Sequence, residues 1–353
     1  MLNFTTQPKN ICVLRLSAIG DICHTLPVIR AIQSQWPETK ITWIIGKVEY
    51  NLIKDIPNIN FIIFDKKNGF KEYLKIRSQL NHIKFDVLLH MQMSLRASLI
   101  SLMIKANVKV GFDRQRAKDG QWLFTNKKIN HVSQQHVMDS LFGFSETLGI
   151  KNKLTSWDIP IADKEHNSAK KLLGNISNYI IISPCSSKAY RNWNSQGYAS
   201  IADYIKEKYA LDVVLTGGNS DIEKEYGRKI IDSSNHAHLN LISLTNLKEL
   251  LSIIEGASFM VSPDSGPAHM ATAMNTPVIG LYATTNPDRA RPYLSANWVV
   301  NRYPDAIFKK HHKKVSDVAW GTRVRDEWAM NLITVKDVTN MIDKFIQQSP
   351  DTK

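Results

Sequence analysis

The sequence predicts an α/β protein with two parallel sheets, on three observations. Short β-rich apolar runs alternate with amphipathic stretches along the chain, the order that covers a parallel sheet with helices. At 353 residues and 43% hydrophobic content, the chain can bury two ordinary cores. The alternation breaks at "LGIKNKLTSWDIPIADKEHN", which is polar, carries a proline and has little periodicity. The boundary between two halves is expected near Ile161.

In the first half, strands are expected at 11–16, 40–45, 61–64 and 86–90. A second series follows at 179–183, 212–216, 259–262 and 277–281. Helices fall between them, for example over 28–35, 198–209 and 247–255, where apolar residues recur at helical spacing. The last helix is marked by Thr334 as cap, Asp337 in the third helical position, and Val335, Val338, Met341, Ile342, Phe345 and Ile346 on one face. Domains are therefore expected at 1–161 and 162–330, followed by a terminal helix over 331–353. Two Rossmann-like halves would face each other across a cleft. Ligands of such sheets bind outside the carboxyl ends of the strands, in the loops after Leu16, Ser183, Thr216 and Ser262.

Composition removes several classes. No apolar run approaches a membrane-spanning length, and "MLNFTTQPKN" lacks the order of a signal peptide. Cys12, Cys23 and Cys185 have no C-x-x-C spacing, so neither disulfides nor a thiolate metal site is expected, and a cytoplasmic location fits. His131 and His136 are five apart, and His311 and His312 sit among lysines that repel a cation; no metal site is expected. Lys plus Arg number 45 against 32 for Asp plus Glu, which suggests an anionic partner. The densest basic cluster is "FKKHHKKVSD", for which a solvated loop is the plain alternative. Scattered aromatics and the lack of a recognition motif argue against nucleic acid.

The stretch "VSPDSGPAHMATAMNTPVIGLY" is an apolar strand, a polar turn, a small-residue helix and a second strand. With Asp264 as N-cap, the amides of Asp264, Ser265 and Gly266 open the helix without intrahelical partners. Gly266 lets a ligand approach the backbone, and Pro267 is tolerated in a first turn. Free amides and the helix dipole make a phosphate site, which His269 can reach from the same helix face. A plain cap with a core histidine explains the same residues. A Ser-His-Asp triad does not, because position 263 is proline where a nucleophile elbow needs glycine.

In "SPCSSKAYRNWNSQGY" Ser186 and Ser187 offer hydroxyls, and Lys188 and Arg191 offer charge, at a strand's carboxyl end. Trp193 is expected to pack under this loop. Gly217 and Gly218 in "LTGGNSD" mark a third close approach. In the first half, "VLRLSAIGDICHTLPVIRAI" has a tight turn at 17–20 and Asp21 at a helix start. Only Gly20 matches the dinucleotide fingerprint. Asp21 is either a plain N-cap or a carboxylate at the cleft edge, suited to deprotonating an attacking hydroxyl. Pro27 is expected to kink or restart the helix.

Six segments, "RLSAIGDICHTLPVIRAI", "KVGFDRQRAKDG", "HVMDSLFGFSETLGI", "LTGG", "LTNLKELLSIIEGASFMVSPDSGPAHMATAMNTPVIGLY" and "TNPDRARPY", occur in an order that resembles glycosyltransferase family 9, the ADP-heptose:lipopolysaccharide heptosyltransferases. The resemblance covers roughly 11–293. It implies the GT-B fold, with a C-terminal helix crossing back to the first domain. It also implies inverting, cofactor-free and metal-independent transfer from ADP-heptose to a Kdo-lipid A or heptosylated inner core, at the cytoplasmic face of the inner membrane. By that resemblance Asp21 is the catalytic base. Ser186, Ser187, Arg191, Thr245, Asp264, Ser265, Gly266 and His269 bind the donor, Thr245 beside the adenine. Gln92, Arg96, Arg114, Arg116 and His136 face the acceptor. The sequence departs from the family at Arg191, where lysine is more usual, and at Thr284 and Asn286, where Gly and Asp are frequent. Alternatives are a family member using another nucleotide sugar, a nucleotide-sugar 2-epimerase, and a silent lipopolysaccharide-binding scaffold.

Overall fold

The computed structural model describes residues 7–348 and divides into two compact units, Met1–Pro160 and Ile161–Lys353. The first holds six strands: β1 (Asn10–Leu14), β2 (Lys40–Gly46), β3 (Ile59–Phe64), β4 (Phe85–His90), β5 (Ala106–Gly111) and β6 (Lys127–Lys128). The second holds β7 (Tyr179–Ile182), β8 (Asp212–Leu215), β9 (Leu239–Asn240), β10 (Met260–Pro263), β11 (Val278–Tyr282) and β12 (Val299–Asn301). The orders are β3-β2-β1-β4-β5-β6 and β12-β11-β10-β7-β8-β9, and the strand pairs are parallel. In each sheet the chain starts at the centre, runs to one edge, returns and runs to the other. The reversal lies between β1 and β4 in the first unit and between β7 and β10 in the second. Loops leaving those neighbouring strands diverge there and open a crevice.

The eight expected strands are found with ends shifted by a residue or two. Four others, β5, β6, β9 and β12, extend the sheets. Central strands are buried along nearly their whole length, as in Ile11 to Leu14 and Ile180 to Ile182. That accounts for their continuous apolar runs, since helices cover both faces.

The helix after β1 runs over Ile19–Gln35 with Pro27 inside it, so it does not restart there. Proline has no N–H for the carbonyl four residues earlier, that of Cys23. The Trp157 indole N–H donates to that oxygen at 2.6 Å instead. Arg30 in turn donates to the carbonyls of Trp157 at 3.1 Å and Asp158 at 2.6 Å. The polar segment at the end of the first unit is thus held on this helix by bonds that periodicity cannot reveal.

The last helix, Val335–Gln348, starts as expected. Thr334 Oγ1 accepts from Asp337 N at 3.1 Å and the Asp337 carboxylate accepts from Thr334 N at 3.0 Å, a complete capping box. Its buried face differs from the expected packing on the first domain. Val338, Ile342 and Phe345 join the core of the second unit, where Phe345 meets Phe259 and Trp298 at ring distances of 5.0 Å. Asp343 accepts from Tyr204 and Tyr209 at 2.6 Å each and from Lys208 at 2.9 Å. An apolar stripe docks where matching apolar surface is nearest, and the Ser195–Tyr209 helix and β12 supply it.

Candidate functional site

In the second unit the loops after β7 and β10 leave the sheet side by side at its reversal point. Ser262 near the end of β10 ties them together: its hydroxyl donates to the Ser183 carbonyl at 3.0 Å and shares a bond with Ser265 Oγ at 2.8 Å. Ser265, rather than Asp264, is the N-cap of the Gly266–Ala273 helix, and its hydroxyl accepts from Ala268 N at 3.4 Å. Both residues cap well and Pro267 suits either register, so the local sequence does not separate them. The cap thus lies one residue later than expected, and with Pro267 lacking an N–H, the Gly266 amide is what the first turn presents.

Asp264 is released from capping and buried at the crevice. Arg191, on the Ala189–Arg191 turn, sets Nη1 3.1 Å from one carboxylate oxygen and 3.2 Å from the Asp264 carbonyl. His269 places Nε2 3.8 Å from the other carboxylate oxygen. Burial alone raises the Asp264 carboxyl, but His269 and Arg191 beside it outweigh that and hold it below the usual 3.8. Arg191 Nε is buried and has no hydrogen-bond partner among the described residues. A buried guanidinium donor in that state is costly unless something accepts from it.

The rest of the loop is braced from below. Ser186 N donates to Asn192 Oδ1 at 2.7 Å, while Ser187 is exposed. Trp193 is fully buried as expected and bonds the Ile333 carbonyl at 2.9 Å. A Cβ on Gly197 would lie 2.5 Å from the Trp193 ring, so only glycine fits there. Further along the same sheet, Ser243 N donates to the Gly217 carbonyl at 3.2 Å. Half-buried Thr245 follows the turn over 242–244, which this bond joins to the Gly217 loop. Thr284 and Asn286 are buried after β11; Asn286 caps the Pro287–Ala290 turn.

In the first unit, the loops after β1 and β4 meet at the other reversal point. Asp21 is the third residue of its helix, and its carboxylate accepts from Ala18 N at 3.1 Å. Ala18 has no side-chain acceptor, so only the carboxylate half of a capping box exists here. The same oxygen lies 2.5 Å from Arg15 Nη2. Arg15 is 8% exposed and also donates to the Met91 carbonyl at 2.5 Å. It therefore fixes the direction of Asp21 while Asp21 keeps a solvent-facing side, 39% exposed. Arg15 was missed by sequence reasoning; a lone cation inside the apolar run "ICVLRLS" was the available signal.

The five expected acceptor residues separate into two groups. Gln92 Oε1 accepts from Leu16 N at 2.6 Å and Ser17 N at 3.2 Å, holding the turn that carries Asp21. Arg116 pairs with Asp113 and donates to Gln135 at 2.8 Å, Ser140 at 2.7 Å and the Asn130 carbonyl at 2.6 Å. Its guanidinium serves the fold. His136 is a buried N-cap that accepts from Met138 N at 3.1 Å. Only Arg96 and Arg114 are exposed cations, Arg114 lying over the Trp122 ring at 5.5 Å. His90, where β4 ends, is pushed down to about 4 chiefly by burial, and the Gln121 amide faces its Nδ1 at 3.2 Å. It is a neutral structural group at physiological pH.

Comparison with known proteins gives the family and the fold. The family model of glycosyltransferase family 9 (heptosyltransferase) matches residues 73–317. The lipopolysaccharide core heptosyltransferase OpsX of Haemophilus influenzae is 40% identical over 342 residues, 97% of this chain and 98% of that protein. Lipopolysaccharide heptosyltransferase 3 of Escherichia coli is 22% identical, with 94% and 97% covered. A family 9 glycosyl transferase from Veillonella parvula superposes with a TM-score of 0.79 at 19% identity, covering 97% and 98%. The Escherichia coli heptosyltransferase WaaC with ADP does so with a TM-score of 0.70 at 18% identity, covering 95% and 99%. These solved structures share the fold of two Rossmann-like domains, the GT-B architecture. With a family match over most of its length and a relative this similar from end to end, the chain belongs to glycosyltransferase family 9, the heptosyltransferase family.

Proposed function

We propose that this enzyme moves a heptose from ADP-heptose to an inner-core sugar, Kdo or heptose, of lipopolysaccharide. The observation that carries the reading is the Arg191–Asp264–His269 cluster at the reversal point of the second sheet, beside the opening of the Gly266–Ala273 helix. When the bond from the anomeric carbon to the diphosphate breaks, the electron pair leaves with ADP and negative charge grows on the phosphate oxygens. Arg191, with a buried Nε still available, and the positive end of the helix are fixed dipoles for that charge. They supply the positive charge without a metal in this reading. Ser186, Ser187, Ser265 and Gly266 complete the diphosphate contacts, and Thr245 lies beside the adenine.

Asp21 is the general base. The acceptor hydroxyl gives its proton to the Asp21 carboxylate as its oxygen bonds to the anomeric carbon, so the configuration inverts. Arg15 and Gln92 position the base rather than react. Arg96 and Arg114 face the anionic acceptor, which holds the chain at the cytoplasmic face of the inner membrane. Calorimetry with ADP, UDP, GDP and NAD tests the donor half. Selective ADP binding, weakened in Arg191→Met, is expected. Preference for UDP points to another nucleotide sugar, and no nucleotide binding leaves a silent scaffold.

A further inference from the structure

The first unit carries an outward surface that its own fold leaves uncovered. The helices Phe70–Leu80 and Leu95–Leu102 share one core under the first sheet, through Ile76, Leu80, Ala97 and Ile100. Each also presents a second apolar row at helical spacing to solvent. Phe70 and Leu74 are 72% and 51% exposed; Leu95, Leu99 and Leu102 are 56%, 41% and 63% exposed. A shallow groove of about 450 Å³ runs between these rows, with Phe70, Tyr73, Leu99 and Leu102 in its walls and Lys66 and Arg96 at its margin. Clustered apolar exposure of this kind marks an interaction surface.

Charge identifies the partner. Lys66, Lys67, Lys71 and Arg96 are all exposed around the apolar rows. Of the neighbouring carboxylates, Asp65 is bonded to Lys47 at 3.0 Å, and Glu72 is buried against Asn68 at 2.7 Å and Lys75 at 3.0 Å. An apolar crest in a basic ring matches the boundary between anionic headgroups and acyl chains. Its location fits as well, because the Leu95–Leu102 helix begins three residues after Gln92, which holds the turn before Asp21.

We infer that this face docks the enzyme on an anionic phospholipid bilayer, with Phe70, Leu99 and Leu102 entering the acyl boundary and Lys66, Lys67 and Lys71 on headgroup phosphates. The inference rests on the proposed function for one point, that the acceptor sugar is borne on a lipid. The test is co-sedimentation of the full chain with vesicles of phosphatidylethanolamine and phosphatidylglycerol, or of phosphatidylcholine alone. Wild type binds the anionic vesicles, less so as salt rises. Removing the three side chains together (F70S/L99S/L102S) lowers partition at least about tenfold. Lys66→Glu with Lys71→Glu weakens binding to the anionic vesicles only. Both variants keep wild-type circular dichroism and wild-type turnover of a deacylated, water-soluble acceptor. The inference is overturned if wild type does not bind vesicles, or if the variants partition as wild type does. It is also overturned if the triple variant merely abolishes a dimer in sedimentation equilibrium, which would make the groove a contact between copies. Failure of wild type to turn over the soluble acceptor would sink the transferase reading and leave the vesicle result standing.

Discussion

At the scale of single residues, two acidic groups, one in each unit, stand in opposite situations. Asp21 is partly open and held by Arg15; Asp264 is closed in and flanked by Arg191 and His269. If Asp21 is the base, Asp21→Asn should lower kcat by roughly 10²–10⁴ and leave the affinity for ADP unchanged. Equal loss in kcat and ADP affinity would give Asp21 a merely structural part. Arg191→Met should behave differently, weakening ADP and lowering kcat/KM by roughly 10²–10³. Unaltered ADP binding in that variant would remove Arg191 from the donor site. The loop proposed for the donor was legible because Asp-Ser-Gly-Pro-Ala-His combines polar groups, a glycine and a helix start in six positions. Arg15, Ser262 and the structural use of Arg116 were not, since each depends on a partner distant in sequence: Met91, Ser183 and Asn130.

At the scale of elements, strands buried along their length announce themselves; short edge strands do not, nor does β5, six residues long but buried only at its last two. β6 and β9 have two residues each and β12 has three, too few for any period to register. The strand order, which creates both crevices, is set by crossovers and leaves no local mark either. Pro27 shows how a local rule yields to a tertiary bond. The vacated Cys23 carbonyl is taken by the Trp157 indole. Trp157→Phe should therefore cost about 1–3 kcal/mol by stranding a buried acceptor. Pro27→Ala restores a backbone N–H to the same carbonyl, so the double variant should recover part of that loss in urea unfolding. Strictly additive effects would show that the indole bond contributes nothing.

At the scale of the whole molecule, acid stability follows from where the carboxylates are held low. In the second unit Asp203, Asp264, Asp337 and Asp343 all lie below the usual 3.8. Burial opposes this at each, and hydrogen bonds with nearby cations outweigh it. In the first unit Asp113 is held low in the same way, burial being outweighed by Arg116 and His131. A depressed folded-state pKa means that the native protein binds fewer protons than the unfolded chain in this range. The stabilisation is then complete above the unfolded value near 3.8 and is lost as pH falls through the lower folded values. Urea midpoints should be nearly flat from pH 7 to 5 as far as these groups are concerned, then fall steeply below about pH 4. Asp343→Asn offers the sharpest check, since that carboxylate joins the last helix to Tyr204, Tyr209 and Lys208. The variant should be less stable than wild type at pH 7 and approach it as pH falls through the depressed pKa of Asp343, below which the wild-type carboxylate is protonated too. A constant offset across the whole range would mean that the amide disturbs packing, and that the charge of Asp343 is not what holds the helix.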